Sequence, residues 1–291
     1  MPLADDECRR LAQVQSDFFI SKLSSIRTTI SNLLHCRPAA SVVATIGRYV
    51  PSSSMDVLAP VTVDEVVKLT ASMSLKSSPR DILLTSLLKI CISALAPEIA
   101  HMANLSFKEG CFPSRFKTAQ ILPLLKKPSL DSEIFANYRP ISNLSTISKM
   151  VERRALVRLN PFMTSSPNFN PVQFAYRTAH STETALIKVF NDVYENVDSR
   201  ESTVIVALDI SAAFDTICHA KCLDRLRIDF GICGVALEWI ASHLADRQQY
   251  VKIDQHSSTT RKLNSGVSQG SVLAICSSQP MSPQSVTSSP Q

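Results

Sequence analysis

The run Val204-Ile205-Val206-Ala207-Leu208 delivers a carboxylate, Asp209, at its end, with Phe214 and Asp215 close behind. An apolar, β-branched run of this length reads as a buried strand. A carboxylate at its tip is a fixed negative charge at a cleft edge, which is what a Mg2+ ligand in phosphoryl transfer requires. The same aspartate could instead cap an ordinary turn. Upstream lie four cations, Lys117, Lys126, Lys127 and Arg139, the last within Asn137-Tyr138-Arg139-Pro140-Ile141-Ser142. A triphosphate needs several cations, and a guanidinium grips phosphate oxygens as a bidentate fork. Each lysine alone is more often a solvated surface charge. Downstream stands Gly266-Val267-Ser268-Gln269-Gly270-Ser271. Its glycines would let backbone approach a substrate closely, although the pattern also makes a plain turn.

These residues need elements to hold them. Residues 1–35 carry Leu11, Val14, Phe18, Phe19, Leu23, Ile26, Ile30 and Leu33 on one helical face. Proline and serine across 36–61 read as a connector. Thr62 and Glu65 form a capping box opening a helix with Val63, Val66, Val67, Thr70 and Met73 inward. Two apolar helices are expected over 82–93 and 97–109, with Gly110 closing the second. A strand should follow and end at Lys126-Lys127. A helix over 145–160 buries Ile147, Met150, Val151, Ala155 and Leu159, leaving Lys149, Arg153, Arg154 and Arg158 to solvent or to a template backbone. Ser181 caps a helix whose core face is Leu186, Val189, Phe190 and Val193. The strand over 203–208, helices over 219–229 and 233–245, and a strand with Val251 and Ile253 inward complete the pattern.

The Val204–Asp215, Asn137–Ser142 and Ser265–Ser271 segments together resemble the reverse transcriptase domain of non-LTR (LINE-type) retrotransposons, closest to the jockey-like group. The Ala179-His180-Ser181-Thr182-Glu183-Thr184 stretch and Leu244-x-x-Arg247-x-Gln249-x-Val251 add to the likeness, which covers residues 62 to 273. The resemblance implies an α/β fold. It would comprise right-hand polymerase fingers and a partial palm after a helix-rich N-terminal extension, incomplete at the C-terminus. It implies that Asp209 is a catalytic metal ligand, with the Ile210 carbonyl as a backbone ligand to Mg2+. Phe214 would then lie under the sugar of the incoming nucleotide and exclude a ribose, although a lone aromatic is more commonly a core residue. Gln269 would contact that nucleotide, and Arg139, Lys127, Lys126 and Lys117 its triphosphate. RNA template, DNA primer and deoxynucleoside triphosphates are the implied partners. The family pattern has proline where Ser268 stands and tryptophan where Phe116 stands.

Agreement with the pattern stops at Leu273, before the aromatic-Ala-Asp-Asp hairpin that carries the family's remaining catalytic carboxylates. The expected domains are a helical extension and connector (1–61), a partial reverse transcriptase domain (62–273) and a disordered Ser/Pro-rich tail (274–291). The expected protein is therefore a truncated, catalytically inactive polymerase fragment. A non-catalytic RNA- or DNA-binding remnant and a translated relic without function are the alternatives. The net charge of +5 permits polyanion binding without arguing for it. The eight cysteines include no Cys-x-x-Cys pair and read as reduced, mostly buried thiols. No signal peptide and no apolar run near ~20 residues is visible, so an intracellular location, cytoplasmic or nuclear and off the membrane, is expected.

Overall fold

The structure, a computed structural model, describes residues 5–35, 49–208 and 213–273. Asp209 and Ile210, the expected metal ligands, lie outside the described residues, as do the Ser/Pro-rich tail and the side chains of Ile30 and Leu33.

Two apolar clusters hold the chain together. The larger joins α2 (Val63–Ser72), α4 (Ile92–Lys108), α5 (Thr146–Thr164), α7 (His219–Ile228) and α8 (Gly234–Leu244). Trp239 is its centre, fully buried, with Phe107 and Phe112 edge-on at 5.3 and 5.5 Å and its indole N–H donated to Ser106. The T-shaped contacts suit the aromatic quadrupoles, and the buried N–H is satisfied. The smaller cluster packs α1 (Asp5–His35) onto β1 (Thr118–Leu125) and β3 (Arg247–Ile253) through Ala12, Phe19, Ala119, Ile121 and Val251. Val14, expected inward, is exposed. Strand order is β2-β1-β3-β4, with β2 spanning Tyr138–Asn143 and β4 His256–Ser257; β5 (Arg261–Leu263) also pairs with β3. β1 runs antiparallel to β2 and parallel to β3. Among the described residues no helix is long and apolar enough to cross a membrane.

Local chemistry sets several boundaries as expected. The Thr62 hydroxyl accepts the Glu65 N–H while Glu65 accepts the Thr62 N–H, a complete capping box. Gly110 stands at φ +64° just past α4, where a left-handed residue lets Cys111 N–H reach the Ser106 carbonyl.

Elsewhere the structure corrects the sequence reading. The first apolar helix pair divides at Cys91, into α3 (Thr85–Ile90) and α4, and Pro97 lies inside α4 rather than at its start. Val63 is exposed, and Leu69 takes the buried position on α2. Residues in the expected connector join the main core: Leu58 and Val61 are buried, and Met55 forms a bridge with Ile232. Arg154 and Arg158, expected in solvent, are drawn to Glu65. Arg158 donates to it at 2.8 Å and also to the Ala59 and Pro60 carbonyls. Five donors on a rigid guanidinium suit it to tying a loop to a helix in this way. Of the six described cysteines only Cys8 and Cys222 are buried.

The largest departure concerns α6 (Thr182–Asp198) and the stretch after it. Ser181 caps α6 through the Thr184 N–H as expected, yet no α6 residue is buried; Leu186, Val189 and Phe190 are exposed and Val193 is only half-covered. Residues 201–208 adopt no regular structure, and Val204 and Leu208 are 84% and 88% exposed. A strand exists only with neighbours to pair with, and none of the described strands runs beside this one.

Candidate active site

The turn after residue 212, strand β2 and the Ser265–Leu273 loop meet at one place, and backbone hydrogen bonds fix their meeting. Gly266 N–H donates to the Ile217 carbonyl and Val267 N–H to the Phe214 carbonyl, both at 2.9 Å. On the other side, Ser142 N–H donates to the Gln269 carbonyl at 2.9 Å. The glycines are required by this closeness. A Cβ on Gly266 (φ +74°) would lie 2.5 Å from the Asp215 carbonyl oxygen, and one on Gly270 (φ +136°) would lie 2.4 Å from that of Ser142. Both positions combine a left-handed conformation with backbone approach that only glycine allows. His219 closes the corner, one ring nitrogen 2.7 Å from the Gly266 carbonyl.

Within this junction the Gln269 amide donates to the Asp215 carboxylate at 3.1 Å. Burial pushes the Asp215 carboxyl above its ordinary pKa, opposed by the Gln269 hydrogen bond and the Lys22 charge. Asp215 is thus spoken for by the loop, as a structural partner. Phe214 is half-buried against the main cluster. Ser268 is buried, and its hydroxyl has no hydrogen-bond partner among the described residues. Pro140, Ser142, Asp215 and Gln269 line a recess, which Phe19 and Lys22 of α1 roof, leaving a volume of about 40 Å³.

The four cations divide into two places. Lys126 and Lys127 follow β1 directly, and Arg139 pairs in register with Leu124, so these three share one end of the β1–β2 ladder, all exposed. Lys126 donates to the Ala136 carbonyl at 2.7 Å. Lys117 precedes β1 and lies at the other end, roughly 25 Å of extended chain away. Burial there lowers its pKa, helped by Arg247 and opposed by Asp246. The structure therefore does not bring Lys117 to the other three.

Two residues that shape this region went unread in the sequence. Asp81 accepts the Thr146 N–H and hydroxyl at 2.5 and 2.6 Å, anchoring the positive N-terminal end of α5. Glu152, on α5, is fully buried and receives two donors from the Gln269 loop. Ser148, Glu152, Ala155 and Leu159 follow helical spacing, a signal that places Glu152 on the inward face.

Among the described residues no group of three His, Cys, Asp or Glu side chains could hold a metal. The expected ligands, one carboxylate and one carbonyl, are hard oxygen donors of the kind Mg2+ takes alongside water and substrate phosphates.

A family model for "Reverse transcriptase (RNA-dependent DNA polymerase)" matches residues 125–282, more than half of the chain, and the protein belongs to that family. Its curated relatives are polymerases of non-LTR elements. It is 32% identical to the "Probable RNA-directed DNA polymerase from transposon BS" of Drosophila melanogaster, over 74% of this chain and 23% of that protein. To the "RNA-directed DNA polymerase from mobile element jockey" of the same fly it is 30% identical, again over 74% of this chain and 23% of the relative. The X-element polymerase of that fly gives 30% over 72% and 23%. The chain thus spans about a quarter of the length of these relatives. The jockey-like, non-LTR resemblance is upheld, and the mixed α/β fold agrees with it.

Proposed function

We propose that the junction of β2, the turn through Asp215 and the Gln269 loop is the incoming-nucleotide side of an RNA-directed DNA polymerase site. The observation that carries this reading is the convergence itself. Three segments, two of them far from the third in sequence, are joined by main-chain hydrogen bonds, with glycines at the two tightest approaches. In this reading Gln269 meets the base or sugar of a deoxynucleoside triphosphate, and Phe214 underlies the sugar and rejects a 2′-hydroxyl. Arg139, Lys126 and Lys127 are the cations for the phosphates in this reading; Lys117, expected with them, stands apart at the far end of β1. Asp209 and the Ile210 carbonyl would hold Mg2+, which would supply charge neutralisation at the phosphates and activation of an attacking hydroxyl. A nucleotide exceeds the present recess of about 40 Å³.

In this scheme fingers, with the Lys117, Lys126, Lys127 and Arg139 cations, and a partial palm make up residues 62–273, after a helical extension. RNA template and DNA primer are the further partners, and the setting is intracellular. Two Mg2+ ions need more than one carboxylate to hold them about 4 Å apart, so the 291 residues alone bind nucleotide without extending a primer.

The test is equilibrium binding of Mg2+–dATP to the 291-residue protein, with primer extension on an RNA template alongside. The expected result is no extension, and dATP binding that Gln269→Ala weakens about tenfold, the effect of removing one neutral hydrogen bond to the nucleotide. Extension that Asp209→Asn abolishes would overturn the inactive reading; dATP affinity indifferent to Gln269→Ala would overturn the site.

A further inference from the structure

The Gln269 loop is clamped at its upstream end by the Ile217 and Phe214 carbonyls. At its downstream end, where Leu273 is buried in the main cluster, Ser271 and Val272 both reach one side chain that lies far away in sequence. Glu152 receives the Ser271 hydroxyl and the Val272 N–H, both at 2.7 Å and both on Oε2. Its other oxygen, Oε1, accepts the Ser148 hydroxyl at 3.1 Å and faces His243 Nε2 at 3.5 Å and Arg247 at 3.8 Å.

The division between the two oxygens is informative. A carboxylate that served only to join α5 to α8 would need Oε1 and its basic neighbours alone. Here the second oxygen is given wholly to the loop. Burying a charge is costly unless it is paired and hydrogen-bonded, and every member of this cluster is buried: Glu152 and His243 are at most 1% exposed and Arg247 is 2% exposed. Arg247 Nε is itself held by the His243 carbonyl at 2.7 Å, while its two terminal nitrogens have no hydrogen-bond partner among the described residues. Their charge is therefore answered chiefly by Glu152. Such a cluster is rigid, because moving any member leaves another buried and unpaired.

We propose that Glu152 is a positioning residue for the nucleotide site, holding the downstream arm of the loop so that the Gln269 amide stays in register between Asp215 and β2. This rests on the nucleotide reading above. Glu152 touches no substrate in the proposal and acts only through Ser271 and Val272.

The experiment uses the 291-residue protein and two readouts: hydrogen exchange resolved to the peptide 266–273, and equilibrium binding of Mg2+–dATP. Glu152→Gln should speed exchange of the 269–272 amides about a hundredfold and weaken dATP about tenfold, as expected for hydrogen bonds to a charged acceptor. Ser271→Ala alters no charge and should still fold, so it decides the matter if Glu152→Gln does not. It should weaken dATP about threefold, and adding it to Glu152→Gln should weaken binding no further. If wild type binds dATP and Ser271→Ala leaves both readouts unchanged, the positioning role is overturned while the site survives. If wild type fails to bind dATP, the nucleotide reading falls and takes the positioning role with it.

Discussion

α5 and α6 are neighbours in sequence, 19 and 17 residues long, each opened by a serine whose side chain caps the helix. Their apolar faces meet different fates. Met150, Val151, Ala155 and Leu159 of α5 are sealed in the main cluster, whereas Phe190 and Tyr194 of α6 are more than half exposed. Residues 204–208, which follow α6, are as open as its apolar face. The contrast teaches that capping and period fix a helix and its apolar stripe, but not whether anything covers the stripe. Local ties suffice for α6 itself: Ser181–Thr184, Lys188–Asp192 and Asn191–Glu195. The site lies on the α5 side of this divide. Its loop hangs from Glu152, while the expected strand leading to Asp209 belongs to the uncovered side.

The comparison breaks most visibly at Trp239. Trp239→Ala should cost about 3–5 kcal/mol, the range for emptying an aromatic core position, read as a shifted urea midpoint with an unchanged slope. A destabilisation below about 1 kcal/mol would mean that the helical core is no better packed than α6.

Acid should loosen the α5 side in two stages. His243 is held down to about 4 from 6.5, by burial first and then by Arg247. Its neutral ring must charge while the unfolded chain has already bound a proton, so stability falls as pH drops from 6.5 to 4. Burial alone would raise the Glu152 pKa, but His243, Arg247 and Ser271 outweigh it and bring it to about 2. Its contribution is present above its ordinary value of 4.5 and is lost as pH falls through about 2. His243→Phe should remove the upper stage and, by taking away a group that holds Glu152 down, move the lower stage to higher pH; an unchanged profile would refute the assignment.

Smaller effects sharpen the same divide. Thr62→Ala removes one arm of the α2 capping box and should cost about 1 kcal/mol by thermal unfolding. Phe190→Ser should change the stability of the isolated chain by less than about 0.5 kcal/mol, as for exposed positions. A loss of about 2 kcal/mol there would show that α6 is covered in solution.

How far the sequence could be read follows the same line. The Thr62–Glu65 box, the Ser181 cap, Gly110 and the α7 and α8 spans were legible because each depends on neighbours within about four residues. The failure at 203–208 is of another kind, since β-branched composition speaks for a half-buried pleated surface and says nothing about which strand lies beside it. Arg154 and Arg158 look solvent-bound in the sequence, yet their partner Glu65 stands far off along the chain, as Glu152 does from Arg247. Gly266 and Gly270 were readable as points of close approach, but the segments approached, Asp215 and Ser142, emerged only from the fold.

The most direct measurement is photolabelling of the 291-residue protein with a deoxynucleoside triphosphate carrying a photoreactive base, followed by peptide mapping. The account predicts label in the 138–143 and 265–273 peptides, abolished by adding unmodified dATP with Mg2+. Label confined to other peptides, or label in these that excess dATP does not displace, would contradict it.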